Sequence, residues 1–222
     1  MRFLQSILAI VTMLLAGICS EAQAGTIYDN TTTRQGMGLN FTKLQQGSEV
    51  NADGTERFVT DLFVGMSQQG IAGTADMQAR LYANNGAGGK PGTLLWEGPL
   101  LQNVHLTGGI DLIDFSVPMV LVPDTFTWTV QISNTNPVAV GLPNFGPPTV
   151  GSSPANWFGD DVKGWTQDTS SPYAYEGRVE AVSAVPEPSS ALLLITGSGL
   201  VLCGRVWYGR RGRFSFAGAA GS

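Results

Sequence analysis

The 222-residue sequence predicts an all-β fold, an antiparallel, jelly-roll-like β-sandwich flanked by an N-terminal signal peptide and a C-terminal transmembrane helix. Three observations lead to this prediction. Short runs that alternate apolar and polar residues are interrupted by glycine, asparagine and proline about every ten residues, as is typical of sandwiches and barrels. The central part has no convincing helical period. Each end of the chain carries a hydrophobic segment.

The first 24 residues contain the three parts of a secretory signal peptide. Arg2 supplies the positive charge, residues 4–18 form a largely apolar run, and Ala22 and Ala24 fit the A-x-A cleavage pattern. We therefore expect the mature chain to begin at Gly25. An uncleaved N-terminal anchor is the alternative, which the shortness of the apolar run and its small terminal residues disfavour.

Residues 25–185 are predicted to form the exported domain. The clearest strand is 126–132, where apolar and polar residues alternate strictly, which predicts one core face and one solvated face. Residues 58–64 predict a strand buried largely on both sides. The other predicted strands, with a turn-rich stretch at 84–92 between two of them, are 77–82, 93–97, 103–106, 110–115 and 175–182.

After the domain comes a segment that predicts a membrane helix. The prolines of Pro186-Glu187-Pro188 favour an extended chain, because proline disfavours helix in the residue before it. The uncharged run 191–204 continues to residue 208, where aromatic residues are placed at the depth of the membrane interface. A helix over 191–208 would be about 27 Å long, close to a hydrocarbon core of about 30 Å. A cluster of arginines then places this end in the cytoplasm. These are Arg205, Arg210, Arg211 and Arg213.

The order of Pro-Glu-Pro, hydrophobic helix and arginine cluster over residues 185–213 resembles the PEP-CTERM sorting signal of Gram-negative bacteria. The resemblance implies that an exosortase, a membrane-embedded cysteine protease-like transpeptidase, recognises Pro186, Glu187 and Pro188 and processes the protein there. The chain would then be a substrate of that enzyme. The short tail 214–222 departs from the pattern, because the family usually stops soon after its basic residues.

Within the domain, two stretches are similar to exported bacterial sandwiches of the choice-of-anchor kind. The first is 81–96, a strand, glycine-rich loop and second strand. The second comprises 122–130 and 147–153, followed by Trp157 and Trp165. This resemblance implies a fold and leaves the activity open, because one fold can host many functions.

Charge and cysteine content exclude several classes of function. The whole chain has a net charge of -5, and residues 25–185 hold 15 acidic against 7 basic residues. An acidic domain does not bind phosphate backbones by general electrostatics, so we expect no nucleic-acid partner. The two cysteines, Cys19 and Cys203, lie in the terminal hydrophobic segments. Disulfides and thiolate chemistry are therefore excluded from the domain.

Catalytic residues are not predicted. His105 is the single histidine, and no Gly-x-Ser-x-Gly motif accompanies it. The pairs Asp111/Asp114 and Asp160/Asp161 could in principle serve a hydrolase, since glycosidases use two carboxylates. Neither pair lies in a recognisable glycosidase motif, and solvated loop acids are the favoured interpretation.

No metal site is predicted, and calcium is the weak alternative to having no cofactor. Asn51, Asp53 and Glu56 form one group of oxygen donors, and Asp160 and Asp161 form another. Neither group matches an EF-hand loop.

Aromatic residues offer the best case for a binding site. Trp157 and Trp165 lie in a stretch rich in glycine, serine and aspartate, a composition that can present rings for sugar stacking. Capping of the sandwich is the alternative role for both rings.

Three hypotheses for the function follow. The first is a non-enzymatic surface or extracellular-matrix protein associated with exopolysaccharide, anchored in the membrane until an exosortase processes it. The second is a carbohydrate-binding module that uses Trp157 and Trp165. The third is a hydrolase.

Overall fold

The computed structural model describes residues 24–37, 45–68, 70–136, 140–160, 164–168 and 172–183. Within these residues the chain forms fifteen strands, and every strand pairing is antiparallel. The described residues contain no helix. The predicted all-β class is confirmed.

Most strands are short, and four exceed ten residues. In chain order the strands are β1 (Gly25–Asp29), β2 (Arg34–Met37), β3 (Gln45–Asn51), β4 (Phe58–Gln68), β5 (Gly73–Ala83), β6 (Leu94–Glu97), β7 (Leu101–Leu106), β8 (Ile110–Leu121), β9 (Thr125–Asn136), β10 (Val140–Gly141), β11 (Pro143–Phe145), β12 (Asn156–Asp160), β13 (Gly164–Asp168), β14 (Ala174–Tyr175) and β15 (Gly177–Val182). The seven strands predicted from the sequence are all present, with β14 and β15 in place of one final strand.

Two larger sheets share one hydrophobic core, as in a β-sandwich. The five-stranded sheet has the order β1-β15-β4-β10, with β8 also paired to β4. The seven-stranded sheet has the order β13-β12-β3-β9-β5-β6, with β7 also paired to β5. Both sheets contribute fully buried residues to the core cluster, for example Leu62 and Val179 from the first and Leu81 and Phe126 from the second.

Trp128 joins the two sheets. It lies on β9 and is 0% exposed, and its indole ring crosses the core to Gly177 on β15. A Cβ at Gly177 would stand 2.8 Å from Cζ2 of that ring, closer than real Cβ contacts. Glycine at this position therefore lets the largest buried side chain pack closely against the opposite sheet.

A three-stranded sheet, in the order β14-β11-β2, links the two larger sheets at one place. The amide of Tyr175 donates to Ser48 Oγ on β3 at 3.0 Å. The next residue, Glu176, accepts a hydrogen bond from the amide of Gly65 on β4 at 3.1 Å through its backbone oxygen. Adjacent residues thus contact opposite sheets, which fixes β14 between them.

The burial of β4 differs from the prediction. Residues 58–64 were expected to be buried on both sides, but Phe58, Asp61 and Phe63 are partly exposed. The stretch buried on both sides is instead Val64–Gln68. The physical reason is that Glu176 shields the second side of this stretch from solvent, because its carboxyl group packs over Gly65.

No helix in the described part of the chain is long and apolar enough to cross a membrane. The predicted membrane helix over residues 191–208 lies outside the described residues, as do the signal peptide up to residue 23, the Pro-Glu-Pro motif and the tail 214–222.

Candidate functional site

The face of the seven-stranded sheet that points away from the core is polar and aromatic. Successive side chains of a strand lie on opposite faces, so the neighbours of the core residues on β3, β5, β9 and β12 point outward. With strands about 4.8 Å apart, the six strands in order from β13 to β6 span about 24 Å. We call this surface the outer face; its residues are Gln45, Gly47, Glu49, Gln78, Arg80, Tyr82, Thr127, Thr129, Gln131, Trp157, Gly159, Trp165 and Gln167.

Arg80 is the centre of a hydrogen-bond network on the outer face. Its Nε donates to Glu97 Oε2 at 2.6 Å, its Nη1 to Gln131 Oε1 at 3.0 Å and its Nη2 to Gln78 Oε1 at 2.6 Å. The amide nitrogen of Gln78 in turn donates to the backbone oxygen of Gly98 at 2.9 Å. The guanidinium group is therefore held in one orientation, and it orients two side-chain amides around it.

Trp165 and Tyr82 form a pair of rings above the sheet. Their centroids are 5.1 Å apart at an interplanar angle of 74°, an edge-to-face arrangement. The indole of Trp165 lies over Gly159 on the neighbouring strand, where a Cβ would stand 2.6 Å from Cζ3 of the ring. Glycine at 159 thus allows the ring to lie close to the sheet and to reach Tyr82. Trp165 remains partly exposed.

The structure corrects part of the prediction for residues 126–132. The polar face of that strand was expected to be solvated, but Thr127 and Thr129 are both 0% exposed. Thr127 Oγ1 donates to Asn84 Oδ1 at 2.7 Å, and Thr129 Oγ1 donates to Gln45 Oε1 at 3.2 Å. On this face of β9, Thr125 at the start of the strand and Gln131 are partly exposed, while the two threonines between them are buried.

Trp157 lies on the same outer face but is 5% exposed. Its indole Nε1 donates to Glu49 Oε2 at 3.1 Å. A ring covered to this extent has no open face on which a sugar could stack. Of the two tryptophans predicted for glycan stacking, only Trp165 presents aromatic surface to solvent.

The glycine-rich loop between β5 and β6 reaches β13. Lys90 Nζ donates to the backbone oxygen of Trp165 at 3.2 Å. Within the loop, the amide of Gly86 donates to the Lys90 oxygen at 3.0 Å, and the amide of Gly89 donates to the Gly86 oxygen at 3.1 Å. The loop therefore contacts the strand that carries Trp165. The amides of Gly86 and Gly89 are hydrogen-bonded within the loop.

A polar groove of about 210 Å³ lies beside this strand, where the backbone passes from β13 to β14. Gln167 belongs both to the outer face and to the wall of the groove. Tyr173 also lines the groove and is 40% exposed. The groove is lined by Ser153, Pro154, Ala155, Asn156, Gln167, Asp168, Pro172, Tyr173 and Ala174.

The outward face of the five-stranded sheet has a different character. The guanidinium carbon of Arg178 lies 4.2 Å from the centre of the Phe63 ring, and its Nε lies 3.2 Å from Glu180 Oε1. Burial, and then the neighbouring Asp61, raise the pKa of Asp114, while Arg178 opposes the rise. Among the described residues, this face carries carboxylates around one arginine and no partly exposed ring pair like that of Tyr82 and Trp165, which makes it a poorer surface for a neutral ligand.

The residues weighed for catalysis do not form a constellation. His105 is exposed on β7. Asp111 and Asp114 lie three residues apart on β8, so their side chains leave opposite faces of the strand. Both oxygens of Asp111 accept hydrogen bonds from Thr107, at 2.8 Å each. Asp160 is the end of β12 and Asp161 lies outside the described residues, so the structure does not test that pair.

The proposed calcium ligands are engaged by neighbouring protein groups. Asp53 Oδ1 accepts from the amide of Gly54 at 2.9 Å, and Glu56 Oε2 accepts from the amide of Thr55 at 3.0 Å. Hydrogen bonds from the backbone lower the pKa of Glu56. Across the described ranges, no group of three or more histidine, cysteine, aspartate or glutamate side chains is arranged to hold a metal ion.

The predicted targeting residues lie almost wholly outside the described ranges. Ala24 is the first described residue and is exposed. The residues not described are Ala22, Pro186, Glu187, Pro188, Arg205, Arg210, Arg211 and Arg213.

Sequence reasoning missed the Arg80 network and the groove. The alternation on β5 already placed Gln78, Arg80 and Tyr82 on the face of the strand away from the core. This alternation could therefore have identified the network. Nothing in the sequence placed Tyr173 beside Gln167 in the lining of this groove.

Comparison with protein-family models, with curated proteins and with solved structures finds no match for this chain.

Proposed function

We propose that this chain is an exported, non-enzymatic surface or extracellular-matrix protein whose jelly-roll-like sandwich binds exopolysaccharide through the outer face. The proposal joins two hypotheses from the sequence, matrix association and carbohydrate binding. The outer face then supplies the contact by which the protein would be held in the matrix.

The observation that carries the proposal is the Arg80 network next to the exposed part of the Trp165 ring. A sugar presents hydroxyl groups at its rim and apolar C–H groups on its faces, so it needs fixed polar partners beside an aromatic surface. Arg80 fixes the Gln131 amide through its oxygen, which directs the amide NH₂ group away from the guanidinium. Because these groups are already oriented, little conformational entropy is lost when a ligand binds.

The shape of the outer face favours a chain of sugars over a single sugar. Polar groups extend across strands from Gln167 on β13 to Glu97 on β6. A surface about 24 Å across can contact several consecutive sugar units. Each contact is weak by itself, and their number provides the affinity.

The targeting part of the proposal rests on the sequence. Ala22 and Ala24 are the expected signal-peptidase site, and Pro186-Glu187-Pro188 is the expected exosortase recognition element. Before processing, the protein is anchored in the inner membrane with its C-terminus in the cytoplasm. After processing, it resides on the cell surface or in the extracellular matrix of a Gram-negative bacterium.

A hydrolase is the less favoured alternative. Its candidate carboxylates on β8 point to opposite sides of the strand, which does not suit two groups that must flank one glycosidic bond. We therefore propose no catalytic residues and no cofactor.

Titration of the full-length chain with hexasaccharides of glucose, xylose, mannose and N-acetylglucosamine tests the outer face. The protein is kept in a detergent that has no sugar headgroup. We expect at least one hexasaccharide to bind, and Trp165→Ala to weaken it about tenfold, since an aromatic contact contributes about 1 kcal/mol or somewhat more. Gln131→Ala is a second variant that leaves the ring pair in place.

Thr166→Ala is the matched control, because Thr166 is exposed on the same strand and points to the other side of the sheet. Equal affinity in wild type, Trp165→Ala and Gln131→Ala, or the absence of binding to any hexasaccharide, would exclude carbohydrate recognition by the outer face.

A further inference from the structure

One edge of the five-stranded sheet has no partner strand among the described residues. The strand at this edge is β8, which has 12 residues and pairs with β4 alone. β9 has the same length, but it pairs with β3 on one side and with β5 on the other. β6 of the other sheet comes near β8 without pairing with it. β8 is therefore the longest strand with an open edge in the described part of the chain.

The pairing with β4 shows which backbone groups of β8 are left open. In an antiparallel pair, every second residue directs both its N–H and its C=O to the partner strand. The amide of Gln68 on β4 donates to the Gly109 oxygen at 3.2 Å, so Gly109 is such a residue. Counting on from it in steps of two, the N–H and C=O groups of Leu112, Asp114 and Ser116 point away from β4. The side chains of all three residues are exposed as well.

The open part of the edge ends after Ser116. Pro118 has no N–H group, so it cannot donate to an added strand. Met119 has a positive φ of 50°, and the register between β8 and β4 shifts in this region. Proline and irregular backbone both hinder pairing at a sheet edge, and residues 110–116 contain neither.

The face of this edge that points away from the core carries negative charge. Asp61 on β4 and Asp114 on β8 are diagonal neighbours there. Burial, and then repulsion by Asp61, raise the pKa of Asp114, while Arg178 opposes the rise. Arg178 is paired with Glu180, and no ion pair among the described residues includes Asp61 or Asp114. A basic side chain beside Asp114 would be attracted by both carboxylates, and its aliphatic stem would cover Leu112, which is 43% exposed on the same face.

The other face of the edge is apolar. Phe115 points into the core and is 2% exposed, while Ile113 packs against the core but is only partly buried. A strand added to β8 would place every second side chain beside these two residues. Apolar residues at those positions would extend the core and shield Ile113 from solvent.

We infer that residues 110–116 of β8 bind an extended segment of another protein, in which apolar residues alternate with lysine or arginine. The segment pairs as an additional strand with the backbone of Leu112, Asp114 and Ser116. Its basic residues lie beside Asp114, and its apolar residues contact Ile113. A second copy of β8 fits less well, because the Asp114 carboxylates of both copies would lie along one edge. The inference goes beyond the proposed function and does not rest on it, because this edge and the outer face belong to different sheets.

Two peptides of seven residues, the length of the stretch 110–116, test this inference. In the first, valine and lysine alternate, and in the second, glutamate replaces lysine. Both peptides have capped ends and carry a fluorophore. Their fluorescence anisotropy is followed as the full-length chain is added in an uncharged detergent, with micelles alone as the blank. We expect the lysine peptide to bind and the glutamate peptide not to bind.

Variants then test whether the peptide uses this edge. Ser116→Pro removes an N–H that points away from β4, so it should weaken binding of the lysine peptide about tenfold. Ser116→Ala is the matched control and should bind the lysine peptide as wild type does. Asp114→Lys should reverse the preference, so that the glutamate peptide binds more tightly than the lysine peptide. This exchange of charge keeps the test valid if urea unfolding shows that Ser116→Pro does not fold.

Three outcomes would overturn the inference. If wild type does not bind the lysine peptide, Asp114 and Pro118 serve only to protect the edge from pairing. Equal binding of the lysine peptide to wild type, Ser116→Pro and Asp114→Lys would indicate nonspecific attraction. If wild type sediments as a dimer without peptide and Ser116→Pro as a monomer, the edge binds a second copy instead. Hexasaccharide titration tests the outer face separately, so either proposal can fail while the other holds.

Discussion

Replacing Glu176 by glutamine should change how the stability of the domain depends on pH. Glu176 is 5% exposed, and its Oε2 has no hydrogen-bond partner among the described residues. Burial raises the pKa of its carboxyl group from 4.5 to about 7, an effect that Arg34 opposes and Asp29 reinforces. The unfolded chain releases this proton near pH 4.5, while the folded chain holds it until about pH 7.

The sign and size of the effect follow from that difference. A carboxyl group whose pKa is higher in the folded state favours folding most when it is protonated. Its full contribution is present below about pH 4.5, declines as the pH rises to about 7, and is absent above that. At about 1.4 kcal/mol per pKa unit, the rise corresponds to a loss of about 3 kcal/mol.

The Glu176→Gln variant has no titratable proton at this position, so its free energy of unfolding should not show this loss as the pH rises. Urea unfolding at pH 4, 6 and 8, followed by tryptophan fluorescence, measures the free energy of unfolding. The difference between variant and wild type should shift in favour of the variant by about 3 kcal/mol from pH 4 to pH 8. Comparing the two proteins at each pH cancels the contributions of other carboxyl groups.

Glu180→Gln is the control for loss of one negative charge, since Glu180 is partly exposed on β15. The difference measured for Glu176→Gln is compared with that of this control at each pH. A Glu176→Gln variant whose difference from wild type stays constant between pH 4 and pH 8 would refute the assignment of a raised pKa to Glu176.

Three further predictions concern packing and processing. Gly177→Ala should destabilise the domain by about 1–3 kcal/mol in urea unfolding, because its Cβ would displace the Trp128 ring; unchanged stability would contradict that contact. Gly159→Ala should move Trp165 off the sheet, with altered tryptophan fluorescence and weaker hexasaccharide binding, and unaltered fluorescence and affinity would argue against the close packing. Intact mass of protein from membrane and medium should show a product that ends near Pro186 only when the host has its exosortase; a full-length mature chain with and without the enzyme would indicate an ordinary anchor.

The sequence predicted those parts of the fold in which apolar residues alternate. It identified β5 and β9 because apolar residues occupy every second position of each strand, which is the period of a strand. These residues are Met77, Ala79 and Leu81 on β5 and Phe126, Trp128 and Val130 on β9. β3 was missed because Gln45–Asn51 contains one large apolar residue, Val50. Its position depends instead on backbone pairing with β9 and on Gly47, where any side chain would collide with the backbone of Trp128.

The candidate site could be predicted only in part, for a similar reason. Alternation placed Arg80 on the side of β5 away from the core, but the partners that orient it come from β6 and β9. Burial of Thr127 could not be foreseen, because its hydroxyl is bonded to Asn84, which lies more than 40 residues away along the chain. Composition identified Trp157 and Trp165 together, and only their different burial distinguishes them.

The most direct test of the central claim uses the polymer of the protein's own host. Exopolysaccharide is harvested from the producing strain and sedimented with the full-length protein, in parallel with Trp165→Ala and Thr166→Ala. If the domain is a matrix-binding sandwich, wild type and Thr166→Ala should sediment with the polymer, and Trp165→Ala should remain largely in the supernatant. If all three proteins stay in the supernatant, or all three sediment equally, the outer face does not bind the matrix polysaccharide.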